Sequence, residues 1–282
     1  MHQLLIIFLG YIKDSFSDYV LNTRSLNSTV LVEEIIQVTL AQLSIQNYTT
    51  VTLQDYFLIA LDSIVNIDKL TIDSVQITKN MFTMIQTTLN VSNTVISNLT
   101  ASPGLIVFSM SSCDFSTSNL TYSDSNAQLI QTTFSELNLD GITTTNIVDI
   151  PNLILTRQCM ISKLNNFDIS GVRVTEDHVI NLVSSNITEM SDNTFSNMDK
   201  TAIKFMNNNI QTIQNMTIDS CPTGLKFEKS TVSSIQNSSF KNLGSTNVTT
   251  GGAIYSKSSK ISILNSTFTS NFAIQGAAVK VL

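Results

Sequence analysis

Four acidic residues have the types and spacing that could do chemistry. Asp149, Glu176 with Asp177, and Asp199 each stand three or four residues before an apolar residue, Leu153, Ile180 and Ile203 respectively. If those apolar residues are equivalent positions of a repeating unit, the carboxylates stack on one face. Glycoside hydrolysis needs two carboxylates about 5 to 9.5 Å apart, and carboxylates at that separation also bind a cation such as calcium or raise one another's pKa. The plainer reading is that Asp favours turns ahead of strands, as Asn and Gly do at the same place elsewhere in this chain. Lys200, beside Asp199, would neutralise part of the stripe. The turn reading is preferred.

Partners for such acids are scarce. The arginines are Arg24, Arg157 and Arg173, and the histidines are His2, at the terminus, and His178, two residues before Ile180. His178 is expected to be an exposed turn residue and not a base or ligand. The cysteines, Cys113, Cys159 and Cys221, have no metal or redox spacing. They are expected to be buried and unpaired, because the repeat places them two or more units apart. Phosphate-binding loops, dinucleotide fingerprints, zinc spacings and nucleophile elbows are all missing.

The elements that position these residues follow a period. In the last third, Ile187-x-x-Met190-x4-Phe195 with Ala202-Ile203 is followed by Ile210-x-x-Ile213-x4-Ile218 with Gly224-Leu225. Val232-x-x-Ile235-x4-Phe240 with Ala253-Ile254 comes next, then Ile261-x-Ile263-x4-Phe268 with Ala278-Val279. Stepping backwards from Ile203 gives anchors at Ile180, Leu153, Leu129, Leu105, Phe82 and Ile59, so about ten or more units are expected. Pro103, Pro151 and Pro222 fall just before anchors, as do Gly104, Gly224 and Gly252. Strand entrances are where such residues belong. Thr71, Thr94, Thr117, Gly141, Asn165, Asp192, Asn215 and Asn237 stand twelve positions after anchors and are expected to form a stacked corner. Three short alternating strands per unit predict an all-β, right-handed parallel β-helix over residues 29–282, continuing past Leu282. The structural alternative is a leucine-rich-repeat solenoid, whose period is similar but whose helices and leucine dominance this chain lacks. Residues 1–28 are read either as a first coil built on Ile7 or as a signal-like stretch, since Leu4–Ile12 is apolar but too short to span a bilayer.

Gly251-Gly252-Ala253-Ile254 and Phe268-Thr269-Ser270-Asn271 resemble the paired GGAI and FxxN motifs of polymorphic outer membrane protein repeats, with weaker copies at Phe195–Asn197 and Phe240–Asn242. Those repeats are similar to the pectin-lyase-like β-helix superfamily. The likeness implies surface display and adhesion, while the wider superfamily implies polysaccharide lyases or hydrolases, the lyases using calcium-binding carboxylates with a basic residue. The Arg-x-Lys and His-Gly patterns of the hydrolase members are missing here.

Composition agrees with a solenoid. The chain holds 37 Ser, 34 Thr and 28 Asn among 282 residues, and only 13% of residues are charged. Small uncharged side chains can bond along stacked strands where like charges would repel. A net charge of -6 without a basic run argues against nucleic acid as a partner. Sequons occur at Asn27, Asn47, Asn90, Asn98, Asn119, Asn186, Asn215, Asn237, Asn247 and Asn265, and are glycosylation candidates if the chain is secreted; Asn247 is expected to be the most accessible. The expectation is a non-catalytic extracellular or cell-surface scaffold without cofactor, part of a larger membrane-anchored protein, contacting glycans or surface proteins. The alternative is a polysaccharide lyase or glycoside hydrolase using the acidic stripe.

Overall fold

The computed structural model describes residues 30–33, 37–40, 43–53, 58–244 and 252–282, with side chains from residue 59. The proposed first coil on Ile7, most of the loop after Gly244 and the sequons Asn27 and Asn247 lie outside the described residues. Within them the chain is all β, without helix, and winds as a parallel β-solenoid of about nine turns, slightly fewer than the spacing suggested. The missing helices remove the leucine-rich-repeat alternative.

Each coil lays down three faces. The first is an eleven-stranded sheet running from Val30–Glu33 through Leu58–Leu61, Phe82–Ile85 and Ile106–Ser111 to Val279–Val281, every neighbouring pair parallel. The second and third faces merge where one bent strand serves both, as in Thr88–Ser97, Asp114–Ser125 and Glu136–Ile150. In later coils they separate into pairs such as Asn186–Ser191 and Thr194–Ser196.

The faces meet at corners closed by one left-handed residue each. After the first face these are Asp62, Gln86, Ser112, Phe134, Gln158, Ser184, Asn207, Lys229 and Ser258, all with φ between 47° and 58°. The second corner is Lys69, Asn93, Asn119, Gly141, Asn166, Asp192, Asn215, Asn237 and Asn265. Asn, Asp and Gly are enriched because a short polar side chain, or none, tolerates that conformation. The expected corner row is therefore right at Gly141, Asp192, Asn215 and Asn237. It is displaced at Asn165, Thr94, Thr117 and Thr71; Thr117 pairs with Val91 and Leu139 inside a strand.

The displacement has two causes: some anchors slip, and the corner follows the true partner by eleven residues up to Gly141 but by twelve from Asn166 to Asn237, after the register shift at Leu137. Thr94 is therefore displaced although Phe82 is a true partner. Ile180, Ile203, Leu225, Ile254 and Val279 are true register partners, but the chain continues backwards through Ile154, Ile130, Phe108, Phe82 and Leu58. Leu153, Leu129, Leu105 and Ile59 miss by one to three residues. First-face strands begin with two consecutive buried residues, such as Leu153-Ile154 and Leu129-Ile130, so apolarity alone does not tell which is the partner.

The interior is one continuous apolar core. Phenylalanines stack coil on coil, with ring centroids 5.1 Å apart for Phe82 and Phe108, 4.8 Å for Phe205 and Phe227, and 5.1 Å for Phe240 and Phe268. Such pairs add about 1 kcal/mol each beyond the area they bury.

Beside the core runs a polar ladder. One residue past the first corner stand Ser63, Thr87, Cys113, Ser135, Cys159, Ser185, Asn208 and Ser230, all buried. Hydroxyls and thiols turn back onto the carbonyl two residues earlier, as Ser185 Oγ donates to Val183 O at 3.0 Å. The same oxygens accept from the coil before: Cys113 N–H donates to Ser135 Oγ at 3.1 Å and Cys159 N–H to Ser185 Oγ at 3.2 Å. Amides that the corner would leave buried and unpaired are thus satisfied. Cys113 and Cys159 occupy two rungs, which explains why they are buried, free and two coils apart. Burial pushes both thiols above their ordinary pKa, and Cys221, at the third corner, up to about 12.

Glycine and asparagine in the GGAI and FxxN stretch have structural jobs. A Cβ on Gly252 would stand 2.6 Å from Ala277 O and 2.7 Å from Phe272 O, so the backbones meet there directly. Asn271 Oδ1 accepts from Leu243 N–H at 3.0 Å while its Nδ2 donates to Phe240 O at 2.9 Å, plugging the previous coil. Asn193 and Asn208 do the same at the other two corners.

Candidate functional site

Outward positions of the second face line a cleft that runs along the solenoid axis. Alternation sends Val65, Ile67, Leu89, Val91, Leu137 and Leu139 into the core and leaves Asn66, Asn90, Ser116 and Asn138 facing out in register. Asn90 Nδ2 donates to Asn66 Oδ1 at 2.7 Å, and Ser116 Oγ donates to Asn90 Oδ1, so Asn66, Asn90 and Ser116 form a bonded ladder that Asn138 extends in register. A register shift after Leu137 places Lys163 opposite Asn138, and the extra residue, Ser162, donates to Leu137 O at 2.9 Å. A bulge of this kind bends the strand locally.

Two adjoining hollows result. One, of about 350 Å³, is lined by Asn90, Ser116, Asn138, Met160 and the acids Asp114 and Glu136. The other, of about 470 Å³, shares Asn90, Ser116 and Asn138 and reaches Asp68, Asp140 and Lys163. Hydrogen bonds from Asn93 and Ser92, at 2.8 and 2.9 Å, hold the Asp68 carboxyl below the usual range. Asn166 Nδ2 donates to Asp140 at 2.6 Å. The cleft therefore offers fixed amides, hydroxyls and carboxylates to a hydroxylated ligand lying along the axis.

The acidic stripe lies elsewhere, around the third corner and the connection back to the first face. All four residues are exposed. Asp149 precedes Ile150, which pairs with Val174, so Arg173 is the residue next in line to it. Asp199 accepts the Val174 N–H at 3.2 Å, and the Asp177 backbone carbonyl accepts from Thr201 at 3.3 Å. Among the described residues no three His, Cys, Asp or Glu side chains gather where they could hold a metal.

His178 corrects an expectation. It is not an exposed turn residue but the first residue of the strand His178–Val183, only 6% exposed, because a strand rather than a turn begins there. Among the described residues its Nδ1 has no hydrogen-bond partner. Burial, then the charges of Lys204 and Lys226, lower its pKa to about 4 against the opposing pull of Asp177 and Glu228.

Asn98, Asn119, Asn215, Asn237 and Asn265 are exposed left-handed corner residues. Their sequons follow from the coil, since a left-handed Asn is followed by a more buried residue and then by a more exposed Ser or Thr. Asn186 is exposed at a strand start, Asn90 belongs to the cleft ladder, and Asn47 lies in the strand Leu43–Leu53. The cleft itself escaped sequence reading. Its signal was Asn-x-Asp, Asn-x-Ser and Ser-x-Ser recurring in register at Asn66, Asn90, Ser116 and Asn138.

No helix among the described residues is long and apolar enough to cross a membrane. Comparison with protein-family models, with curated proteins and with solved structures yields no match.

Proposed function

We propose that this chain is a non-catalytic β-solenoid scaffold, working at the cell surface or outside the cell, whose second-face cleft contacts glycans. The observation that carries the reading is the axial row Asn66, Asn90, Ser116 and Asn138. It presents amide and hydroxyl groups at the coil repeat of about 4.8 Å, on the scale of one sugar unit. Amides and hydroxyls both donate and accept, which suits sugar hydroxyls, and the ladder bonds hold Asn66, Asn90 and Ser116 in place before a ligand arrives.

Titration calorimetry and an immobilised-glycan array, run on the full chain, test this. Expected is binding of a linear neutral oligosaccharide that Asn138→Ala with Ser116→Ala weakens about tenfold, the size of one or two lost hydrogen bonds. Absence of binding across linear glycans would sink the glycan reading. Calcium-dependent release of products from a polysaccharide, lost in Asp177→Ala, would replace it with the enzymatic alternative.

A further inference from the structure

The first corner forms an edge along the solenoid unlike the rest of its surface. In axial order it carries Leu61–Ile64, Ile85–Thr88, Ser111–Asp114, Phe134–Glu136, Arg157–Met160, Val183–Asn186, Met206–Asn209, Glu228–Thr231 and Lys257–Lys260. Before residue 260, the described residues with large exposed apolar side chains are Ile64, Ile85, Val95, Phe134 and Met160, and all but Val95 lie on this edge.

Phe134 is the sharpest of them. Eight of the nine described first-corner residues are polar, as the left-handed conformation favours. Phe134 adopts it too, at φ 53°, and is 61% exposed. A bulky aromatic with positive φ is a steric outlier. Nothing inside the coil requires the ring, since it leaves the core and faces water. Strain held at an exposed aromatic points to a contact outside the chain.

Charge along the edge is polarised. Asp62, Asp114 and Glu136 stand exposed on the N-terminal side of Arg157, and Lys229, Lys257 and Lys260 stand exposed on the C-terminal side. These lysines are dispersed in the sequence, and the coil period brings them into line, so the fold assembles a basic stretch that the sequence did not predict. Glu228, half-buried at the same end, is already engaged by Lys204 at 3.4 Å and Lys226 at 3.2 Å.

We propose that this edge is the interface of a homodimer of two solenoids lying side by side and antiparallel. A two-fold axis at Arg157–Met160, the fifth of the nine described corners, sets Asp62 of one copy against Lys257 and Lys260 of the other. Parallel copies would set acid on acid. The same axis gathers Phe134 and Met160 of both copies near the centre, where Glu136 of each copy stands one coil step from Arg157 of the other, and leaves the lysines at the ends. Eight coil steps of about 4.8 Å and an edge four residues wide, about 13 Å, give about 500 Å² per copy, near the lower bound of about 1,000 Å² in total for a specific interface.

Sedimentation velocity of the full chain over a concentration series, at about 0.02 and about 0.5 M salt, tests it. Expected is a monomer–dimer equilibrium weakened by salt. Phe134→Asn should raise the dissociation constant at least about tenfold, as loss of a central aromatic does. The same change should raise Tm by about 1–3 °C, because Asn accepts the left-handed corner, so a folding defect cannot stand in for lost association. Lys257→Glu with Lys260→Glu should also weaken the dimer, and adding Asp62→Lys should restore it. A monomer at every concentration, a dimer indifferent to Phe134→Asn, failure of the charge swap to rescue, or an open-ended series of oligomers would each overturn the proposal.

Discussion

Acidification from pH 7 to about 4.5 should act on this solenoid mainly through one buried imidazole. His178 lies 6% exposed with its Nδ1 unpaired, and its pKa is lowered from 6.5 to about 4, first by burial and then by Lys204 and Lys226. Between those two values the unfolded chain binds a proton that the folded chain refuses, so stability falls as pH falls through that window and is fully present above pH 6.5. At pH 4.5 the interval used is about two units, and at 1.36 kcal/mol per unit the loss is about 2–3 kcal/mol. In a chain of this size that lowers Tm by about 5 °C. Asp68, Asp73 and Asp219, whose pKa values are lowered by hydrogen bonds from neighbouring Asn and Ser, contribute stability that is lost only below the ordinary Asp value of 3.8. The two windows therefore separate. Calorimetric Tm measured from pH 7.5 to 4.5 on the wild type and on His178→Asn provides the check; Asn152, whose Nδ2 donates to His178 O at 2.6 Å, already occupies the equivalent place one coil earlier. The variant should show a nearly flat profile. Lys204→Met should shift the imidazole titration upward and shrink the wild-type drop. An equal pH dependence in His178→Asn, or an imidazole titrating above pH 6 by NMR, would refute the reasoning.

Two further outcomes follow from the corners and their ladder. Gly252→Ala should cost about 2–3 kcal/mol, because its Cβ would meet two backbone carbonyls that cannot move aside, whereas Gly104→Ala, with φ 82° and nothing within 4 Å, should cost only about 1–2 kcal/mol from backbone strain; chemical denaturation of both variants compares them. Ser185→Ala should cost about 1–3 kcal/mol by leaving the buried Cys159 amide without an acceptor, while Cys159→Ser, which places a better acceptor in the same ladder, should be neutral or slightly stabilising in the same assay.

The period and the β class were legible because they rest on inward residues, whose apolarity the core demands in every coil. Register was harder. Two consecutive buried residues at first-face strand entrances, as in Leu129-Ile130 and Leu153-Ile154, let those anchors slip by one without any loss of apolarity. That slip hid the ladder, since Cys113, Ser135, Cys159 and Ser185 stand five residues after the true partners Phe108, Ile130, Ile154 and Ile180 but eight, six, six and five after the anchors Leu105, Leu129, Leu153 and Ile180. His178 was misplaced for a related reason. A polar residue among Glu176 and Asp177 reads as turn, yet in space it begins a strand whose preceding-coil neighbour is the buried Asn152. The second-face cleft was invisible because its outward residues are ordinary Asn and Ser, and only their stacking, with the shift at Leu137, turns them into a hollow.

Outward positions are where a solenoid's fold stops constraining its sequence. Packing fixes the inward rows, and the left-handed corners admit small polar residues, so a residue that obeys these rules says nothing about a partner. The exceptions say more. Asn66, Asn90, Ser116 and Asn138 obey the rules singly and are informative only as a row, which is why the cleft needs a ligand assay to give it meaning. Phe134 breaks a rule outright: its corner would be less strained with Asn, and its ring gains no burial from the coil that holds it. A position where a common substitution should raise stability without disturbing the core is one where something other than stability maintains the residue. Phe134→Asn is therefore the single change that separates the fold's requirements from those of an external contact.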